Sequence, residues 1–429
     1  MDDVLTDYRA AIDALFARTT NNMKFGLERT EALLELLGNP HRRLTALHIA
    51  GTNGKGSVVA TCDALLRANG KRVGRYTSPH LIDFRERISI DGVPISERQV
   101  LEFLERMTPD AERMGATFFE LTTALAFDWF AREGVDIAVI ETGLGGRLDS
   151  TNVITPIVAT VTSIGLDHMD LLGNTLESIA REKAGIFKRG VPAVIGERDP
   201  AIRRLLGQCA ADVGASPIMF VSEEYPVSDI AISRGGTSFV FPFMGTSVKV
   251  VTPLIGAFQA HNTSVAIATL AAARPDLLPS SKSWERALKN LFLPGRFQRH
   301  ALFIFDVAHN PAGARVLADN LRAVNVPRPL TALVAVLSDK DWRGVISELS
   351  TVVDRFVFTN APSAPSARLW NANAAAEFAR SLNVDARAVV DIDDALDDVQ
   401  RGASCVLVTG SFHTVGDVMS RLQVSPFAA

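Results

Sequence analysis

The chain has 429 residues, 47% of them hydrophobic and 21% charged, with a net charge of −4. That balance suits a globular protein with room for two or three cores. It gives no electrostatic reason to expect nucleic acid or an anionic membrane as a partner. The acidic opening "MDDVLTDYRA" lacks the apolar run of a secretory signal, and no window approaches the length of a membrane-spanning helix. Cys62, Cys209 and Cys405 are too widely spaced for a disulfide framework or a zinc site. A cytoplasmic enzyme with reduced core thiols is expected.

In chain order, "LTALHIA" (44–50) has the look of a buried strand entering a glycine loop, and "SVVATCDALLRANG" that of a helix stopped at Gly70. "VDIAVIE" and "PIVATVTSIG" are two more buried strands, and "LESIAREKAGIF" is a helix after the Gly173-Asn174 loop. Strands alternating with amphipathic helices predict a parallel sheet covered on both faces. Over 217–253 the texture changes. Two alternating runs flank Gly235-Gly236 and "SVKVVTP" follows, which predicts a small antiparallel insert. Helices resume at "AHNTSVAIATLAAA" and "SKSWERALKNLF". The Pro-Gly break in "LPGRFQRH" marks a boundary, so residues 1–294 and 295–429 are expected to form two domains. The second holds strands at "ALFIFDVAHN", "LTALVAVL", "RFVFT", "ARAVV" and "CVLVTG", a smaller Rossmann-like α/β unit, with "APSAPSA" as a loop.

The chemistry concentrates after the first strand, in "HIAGTNGKGSV" (48–58). A glycine loop between strand and helix lets backbone N–H groups approach phosphate, and Lys55 adds a charge. The common phosphate loop places Ser or Thr directly after the lysine to hold Mg2+. Here Gly56 intervenes and the hydroxyl arrives at Ser57, which is expected to cap the helix instead. The ion then needs other oxygen ligands. Ser78 in "YTSPHL", Glu141 at the end of a buried strand, and Asp167, His168 and Asp170 in "GLDHMD" are candidates. Strand ends are where open α/β sheets gather ligands.

The ordered set "GLER", "GTNGKGS", "TSPHL", "FRERI", "TFFE", "ETGLGGRLDSTN", "TSIGLDH", "REKAGIFK", "LPGRFQ", "DVAHNP" and "GSFHTVGDVM" closely resembles the folate-adding branch of the Mur ligase superfamily. Gly56 after the loop lysine is itself a feature of that branch. The resemblance implies a phosphate-loop ATPase domain with a Rossmann-like ligase domain. It also implies a reaction in which ATP phosphorylates an acceptor carboxylate and L-glutamate displaces phosphate. The acceptor would be dihydropteroate or a folate, and the enzyme a monomer.

Carried over residue by residue, Thr52, Asn53, Gly54, Lys55, Gly56 and Ser57 would cradle ATP with Asn262, Arg296 and Asp306. Ser78 and Glu141 would hold one Mg2+, and His168 with a carbamylated Lys183 a second. Phe258 stands where the family's G-x-H-Q-x-x-N has histidine, so that side chain's role is missing here. Lys55, Lys183, His168 and His309 are the catalytic candidates, with His309 and Ser411 offered for glutamate or the phosphoryl group. For the acceptor, Thr117, Phe118, Phe119 and Glu120 offer an aromatic wall, and Leu148, Asp149 and Ser150 a carboxylate for the pterin edge. Residues 23–26 are a further candidate segment. Because Arg296 and Asp306 lie across the boundary from Lys55, closure of two domains is expected to complete the site.

Three rivals remain at the sequence level. A small-molecule kinase has no use for "DVAHNP" and "LPGRFQ". A nucleotide-gated binding protein needs neither Lys183 nor Arg296. A Mur-type ligase for cell-wall or poly-amino-acid precursors usually has Ser or Thr where this chain has Gly56.

Overall fold

The computed structural model describes residues 2–18 and 26–427; of the candidate segment 23–26, residues 23–25 lie outside them. The first sheet contains β1 (Ala46–Ala50), β2 (Val73–Tyr76), β3 (Ile88–Ile90), β4 (Val93–Pro94), β5 (Ile137–Glu141), β6 (Val158–Val161), β7 (Ala193–Ile195) and β8 (Ile218–Phe220). Their order is β4-β3-β2-β5-β1-β6-β7-β8. All pairs from β2 to β8 are parallel. The expected parallel sheet is therefore present, but β3 and β4 add an antiparallel edge that was not anticipated. The cause is local: Asp91-Gly92 joins them with φ of 53° and 81°, the left-handed pair that a tight hairpin turn demands.

Alternation along the central strands divides two cores. Leu47, Ile49 and Val139 face Val58, Val59 and Leu65 of the helix Lys55–Ala68, and Val265 and Ile267 of the helix Ala257–Ala273. Ala46, Ala138 and Ile140 face Leu121, Leu125, Phe127 and Phe130 of the helix Phe118–Arg132. Each of the Val, Leu, Ile and Phe side chains among them contributes about 1.5–3 kcal/mol by leaving water. The helix Phe118–Arg132 begins where it does because Thr117 and Glu120 form a reciprocal capping box.

The insert is smaller than expected. β8 belongs to the parallel sheet, and the antiparallel sheet holds only β9 (Ser228–Ser233), β10 (Gly236–Phe243) and β11 (Thr246–Thr252). A three-residue apolar run such as Ile218–Phe220 does not announce by its pattern which sheet it will join.

The second sheet is six-stranded: β12 (Gln298–His300), β13 (Phe303–Phe305), β14 (Leu330–Val334), β15 (Arg355–Phe358), β16 (Asp385–Ala388) and β17 (Cys405–Thr409), in the order β12-β13-β17-β14-β15-β16. It is parallel except for β12, which folds back on β13. Cores lie on both faces, around Phe356 and Phe358 on one and Phe305, Val406 and Val408 on the other. Among the described residues no helix is long and apolar enough to cross a membrane.

This topology creates the site. β1 lies between β5 and β6, so the phosphate-type loop, Glu141 and the 162–168 segment all emerge at one sheet edge.

Candidate functional site

The loop Gly51–Gly54 is held before any ligand arrives. Thr52 N–H donates to Ser163 O (2.6 Å), and Thr52 Oγ1 donates to Gly165 O (3.2 Å) while accepting from Gly165 N–H (3.0 Å). Thr162 Oγ1 and Ser163 Oγ donate to the Asn53 carbonyl at 2.7 and 2.9 Å. Gly54 stands at φ 89°, and a Cβ there would meet Asn262 Oδ1 at 2.6 Å. Only glycine fits that conformation and that approach. Asn262 is thereby placed against the loop, with its Nδ2 donating to Gln259 Oε1 (3.2 Å).

Two lysine amino groups converge beneath the loop. Lys55 Nζ and Lys183 Nζ each donate to the Gly51 carbonyl at 2.9 Å. Lys55 also lies 3.9 Å from Glu141 Oε1. Lys183 is buried, and burial first, then the charge of Lys55, pushes its amine down to about 7, with Asp167 and Asp149 pulling the other way. Glu141 is buried too; burial pushes its carboxyl up, against Lys55, Arg296 and the Ser78 backbone. Next to it, the Thr142 hydroxyl is buried with no hydrogen-bond partner among the described residues.

Ser78, Glu141 and Thr142 supply hard oxygen donors, the type Mg2+ prefers. Among the described residues no three His, Cys, Asp or Glu side chains form a ready metal cage. A metal here would therefore depend on phosphate oxygens to complete its shell. His168 has the left-handed φ of 51° and a 44% exposed side chain, 3.9 Å from Asp167. Asp170 is exposed beside it.

The second sheet contributes from the opposite side. Arg296 lies 5.3 Å over the Phe412 ring, and burial lowers its pKa against the charges of Asp306 and Glu141. Asp306 accepts from Phe297 N–H (2.9 Å) and Ala308 N–H (3.0 Å). Asp167 joins the two sides. It accepts from Lys340 Nζ at 2.5 Å and sits 3.4 Å from His309 Nε2, while His309 Nδ1 meets Val307 O at 2.8 Å. Burial opposes ionisation of Asp167, but the His309 hydrogen bond and the neighbouring charges outweigh it and hold the carboxyl well below the usual range.

Several sequence expectations need correction. Ser57 does not cap the helix: Gly54 occupies that position with no side-chain cap, and Ser57 is buried in the first turn.

The aromatic wall is split. Phe118 is core, stacked on Phe16 at 4.8 Å, whereas Phe119 is half-buried against the Gly143 backbone. Glu120 closes the cap with Thr117 and pairs with Arg29 at 2.8 Å. Asp149 is engaged by its own turn. It is buried, accepting from Leu144 N–H (2.7 Å), Thr151 N–H (3.0 Å) and Thr151 Oγ1 (2.5 Å), and it caps the turn Ser150–Val153. Leu148 is half-buried and Ser150 buried beside it. Ser411 is a buried helix cap, accepting from Thr414 N–H at 3.0 Å. Phe258 is half-buried near the start of its helix, packed on Gly256.

Two residues escaped the sequence reading. Lys340 lies in "SDKDW" with no local pattern to mark it, and Arg87 was visible only as a letter of "FRERI".

Comparison with known proteins places this geometry in context. The Mur ligase middle domain model matches residues 49–270 and the Mur ligase, glutamate ligase domain model matches 295–412. The dihydrofolate synthase/folylpolyglutamate synthase of Bacillus subtilis is 33% identical over 98% of this chain and 100% of its own. The structure of Mycobacterium tuberculosis folylpolyglutamate synthase complexed with ADP superposes with a TM-score of 0.89 at 33% identity, covering 99% of this chain and 100% of that one. A bifunctional folylpolyglutamate synthase/dihydrofolate synthase with Mn, AMPPNP and L-glutamate bound gives a TM-score of 0.79 at 35% identity, over 94% and 95% of the two chains.

Proposed function

The chain belongs to the Mur ligase family, among the dihydrofolate synthase/folylpolyglutamate synthases, and from that premise we propose how its own residues perform an ATP-dependent ligation of L-glutamate to dihydropteroate and to folates. One observation carries the reading. Lys55 Nζ and the buried Lys183 amine meet on the Gly51 carbonyl at the mouth of a glycine loop, with Lys55 facing the buried Glu141 carboxylate. The Lys55 charge together with the loop's backbone donors is suited to a polyphosphate.

In this reading the ATP phosphates lie along Thr52–Ser57, with Lys55 against the terminal groups and Asn262 beside the loop. Arg296 and Asp306 meet the nucleotide from the second domain, which begins at residue 295. An acceptor carboxylate oxygen attacks the γ-phosphorus, the bond to the ADP oxygen breaks, and an acyl phosphate forms. The glutamate amino nitrogen then attacks the acyl carbon; inorganic phosphate leaves, and the nitrogen loses a proton. Each stage brings anions together, so charge neutralisation and positioning do most of the catalytic work.

Ser78 and Glu141 would hold a first Mg2+, for which their oxygen chemistry fits, and His168 with carbamylated Lys183 a second. When bound, the metal offsets phosphate charge. Lys183 suits carbamylation because its amine is buried beside Lys55 and, among the described residues, donates to a backbone carbonyl and no carboxylate. The amine attacks CO2 and releases a proton, turning a misplaced cation into an anionic oxygen ligand. His309 orients Asp167, and the enzyme acts as a cytoplasmic monomer.

The test is phosphate release from ATP and L-glutamate with dihydropteroate, with tetrahydrofolate and with no acceptor. Release with both acceptors is expected. Release with neither, from folded protein that binds ATP, would refute the folate reading and leave cell-wall precursors as the next substrates to try.

A further inference from the structure

"FRERI" contains two arginines that the fold treats differently. The short helix Phe84–Arg87 is clasped by Glu86, which accepts from the N–H groups of Leu81, Ile82 and Asp83 at 2.9, 2.7 and 2.7 Å. That clasp leaves Arg85 near the surface, paired with Asp83 at 2.5 Å, and turns Arg87 inward. Arg87 is only 7% exposed. Among the described residues its one side-chain hydrogen bond is from Nε to His80 Nδ1 (2.7 Å), and it has no ion pair. Its guanidinium lies 5.0 Å over the Phe118 ring. Burial lowers its pKa, and the acidic groups that reach it, Tyr76, Glu86 and Glu141, only partly oppose the effect.

A buried arginine without an anion is unfavourable, because desolvation costs more than one neutral hydrogen bond and an aromatic face return. The cation is retained nine residues after Ser78, within electrostatic reach of Glu141 but paired with no carboxylate among the described residues, with its face against the Phe118 ring. Its terminal nitrogens form the planar fork that matches a carboxylate.

We propose that Arg87 is the residue that binds the acceptor's reacting carboxylate, pairing with its oxygens before and during phosphoryl transfer. The inference rests on the folate reading above. It gives Phe118, buried as it is, a role in the site: the ring backs the guanidinium and fixes its plane, while the acceptor's own ring meets the half-buried Phe119 side. No proton moves at Arg87; the attacking oxygen keeps its electrons until it bonds to phosphorus.

The rival is a structural arginine that serves only to hold the His80 loop through Nε. The two separate on ligand charge. Binding of dihydropteroate and of its neutral carboxamide analogue is measured by titration calorimetry to the wild type, Arg87→Met and Arg87→Lys, each loaded with a non-hydrolysable ATP analogue. The expected result is a wild-type preference for the carboxylate, a loss of about 100-fold for dihydropteroate in Arg87→Met, and a change under threefold for the carboxamide. Arg87→Lys should keep part of the preference, since charge survives without the fork.

Equal losses for both ligands in Arg87→Met would overturn the assignment, as would no loss for dihydropteroate. If Arg87→Met does not fold, Arg87→Lys decides, an unchanged preference going against the proposal. If neither variant folds, a wild type that binds both ligands equally overturns it and a clear carboxylate preference supports it. A wild type that binds neither ligand would overturn the folate reading along with this one, so the two failures are distinguishable.

Discussion

Substituting Lys183 tests the carbamate directly. An ordinary lysine amine near 10.5 is neutral in only about one molecule in a thousand at pH 7.5, whereas at about 7 roughly three-quarters are neutral. Burial next to Lys55 therefore enriches the CO2-reactive form by nearly three orders of magnitude. The sign follows: protons compete with CO2, so at pH 6 the neutral fraction falls to about a tenth. Apo protein equilibrated with 13C-labelled CO2 should show one carbamate carbon signal by NMR that fades between pH 7.5 and 6 and is absent in Lys183→Met. Turnover at fixed dissolved CO2 should show an acidic limb near pH 7 that moves to lower pH when CO2 is raised. Lys183→Met should lose at least about a hundredfold in kcat, the scale of removing one preorganised charge from a water-poor site. A fully active Lys183→Met, or an acidic limb that ignores CO2, would refute the reasoning.

Gly54→Ala should raise KM for ATP more than about tenfold, since the positive φ alone costs about 1–2 kcal/mol and the new methyl displaces Asn262; an unchanged KM would show the loop rearranges freely. Asp149→Ala strands the Leu144 and Thr151 amides in a buried turn, at about 1–3 kcal/mol each when no water replaces the carboxylate, while the Thr151 hydroxyl keeps His48. The melting midpoint should fall by several degrees, and an unshifted melt would contradict the capping role. Lys340→Met breaks a pair whose side chains are each 10% exposed. The cost should sit near the low end of the roughly 3–5 kcal/mol typical of such losses, because His309 still faces Asp167. Faster proteolysis within residues 292–297 would report looser docking of the two sheets, and an identical digestion pattern would argue against it.

What the sequence made legible was local chemistry. The loop at Gly51–Lys55 is a strand, a turn and a helix start written in one run, so its geometry needs no distant partner. Glu141 was found for the same reason, as a carboxylate at the end of a strand that is otherwise apolar. The antiparallel edge was also legible, through Asp91-Gly92, although the hairpin signal went unused. Ser57 was misread because the capping position is fixed by where the helix begins, and Gly54, with its left-handed φ, takes it one turn earlier. Asp149 is less free than its loop position suggests, because the fold brings amides to its carboxylate that no neighbouring letter announces.

The remaining misses share a physical cause: the partner of a charge is set by the fold, not by its neighbours in the chain. Lys340 and Asp167 are 173 positions apart and still form one of the closest ion pairs between the two sheets. Arg85 and Arg87 show the reverse, two like residues two positions apart with unlike fates. Nothing in "FRERI" distinguishes the arginine that closes a surface pair from the one held inside without an anion. The difference arises because Glu86 spends its carboxylate on three backbone amides, which orients the turn and leaves Arg87 inside, against His80 and Phe118, without an ion pair among the described residues. A charge compensated within the protein steadies the fold. One left uncompensated in its interior can be met by an anion that enters, and on the proposal above the geometry that gives Arg87 no carboxylate partner among the described residues makes it available to a substrate.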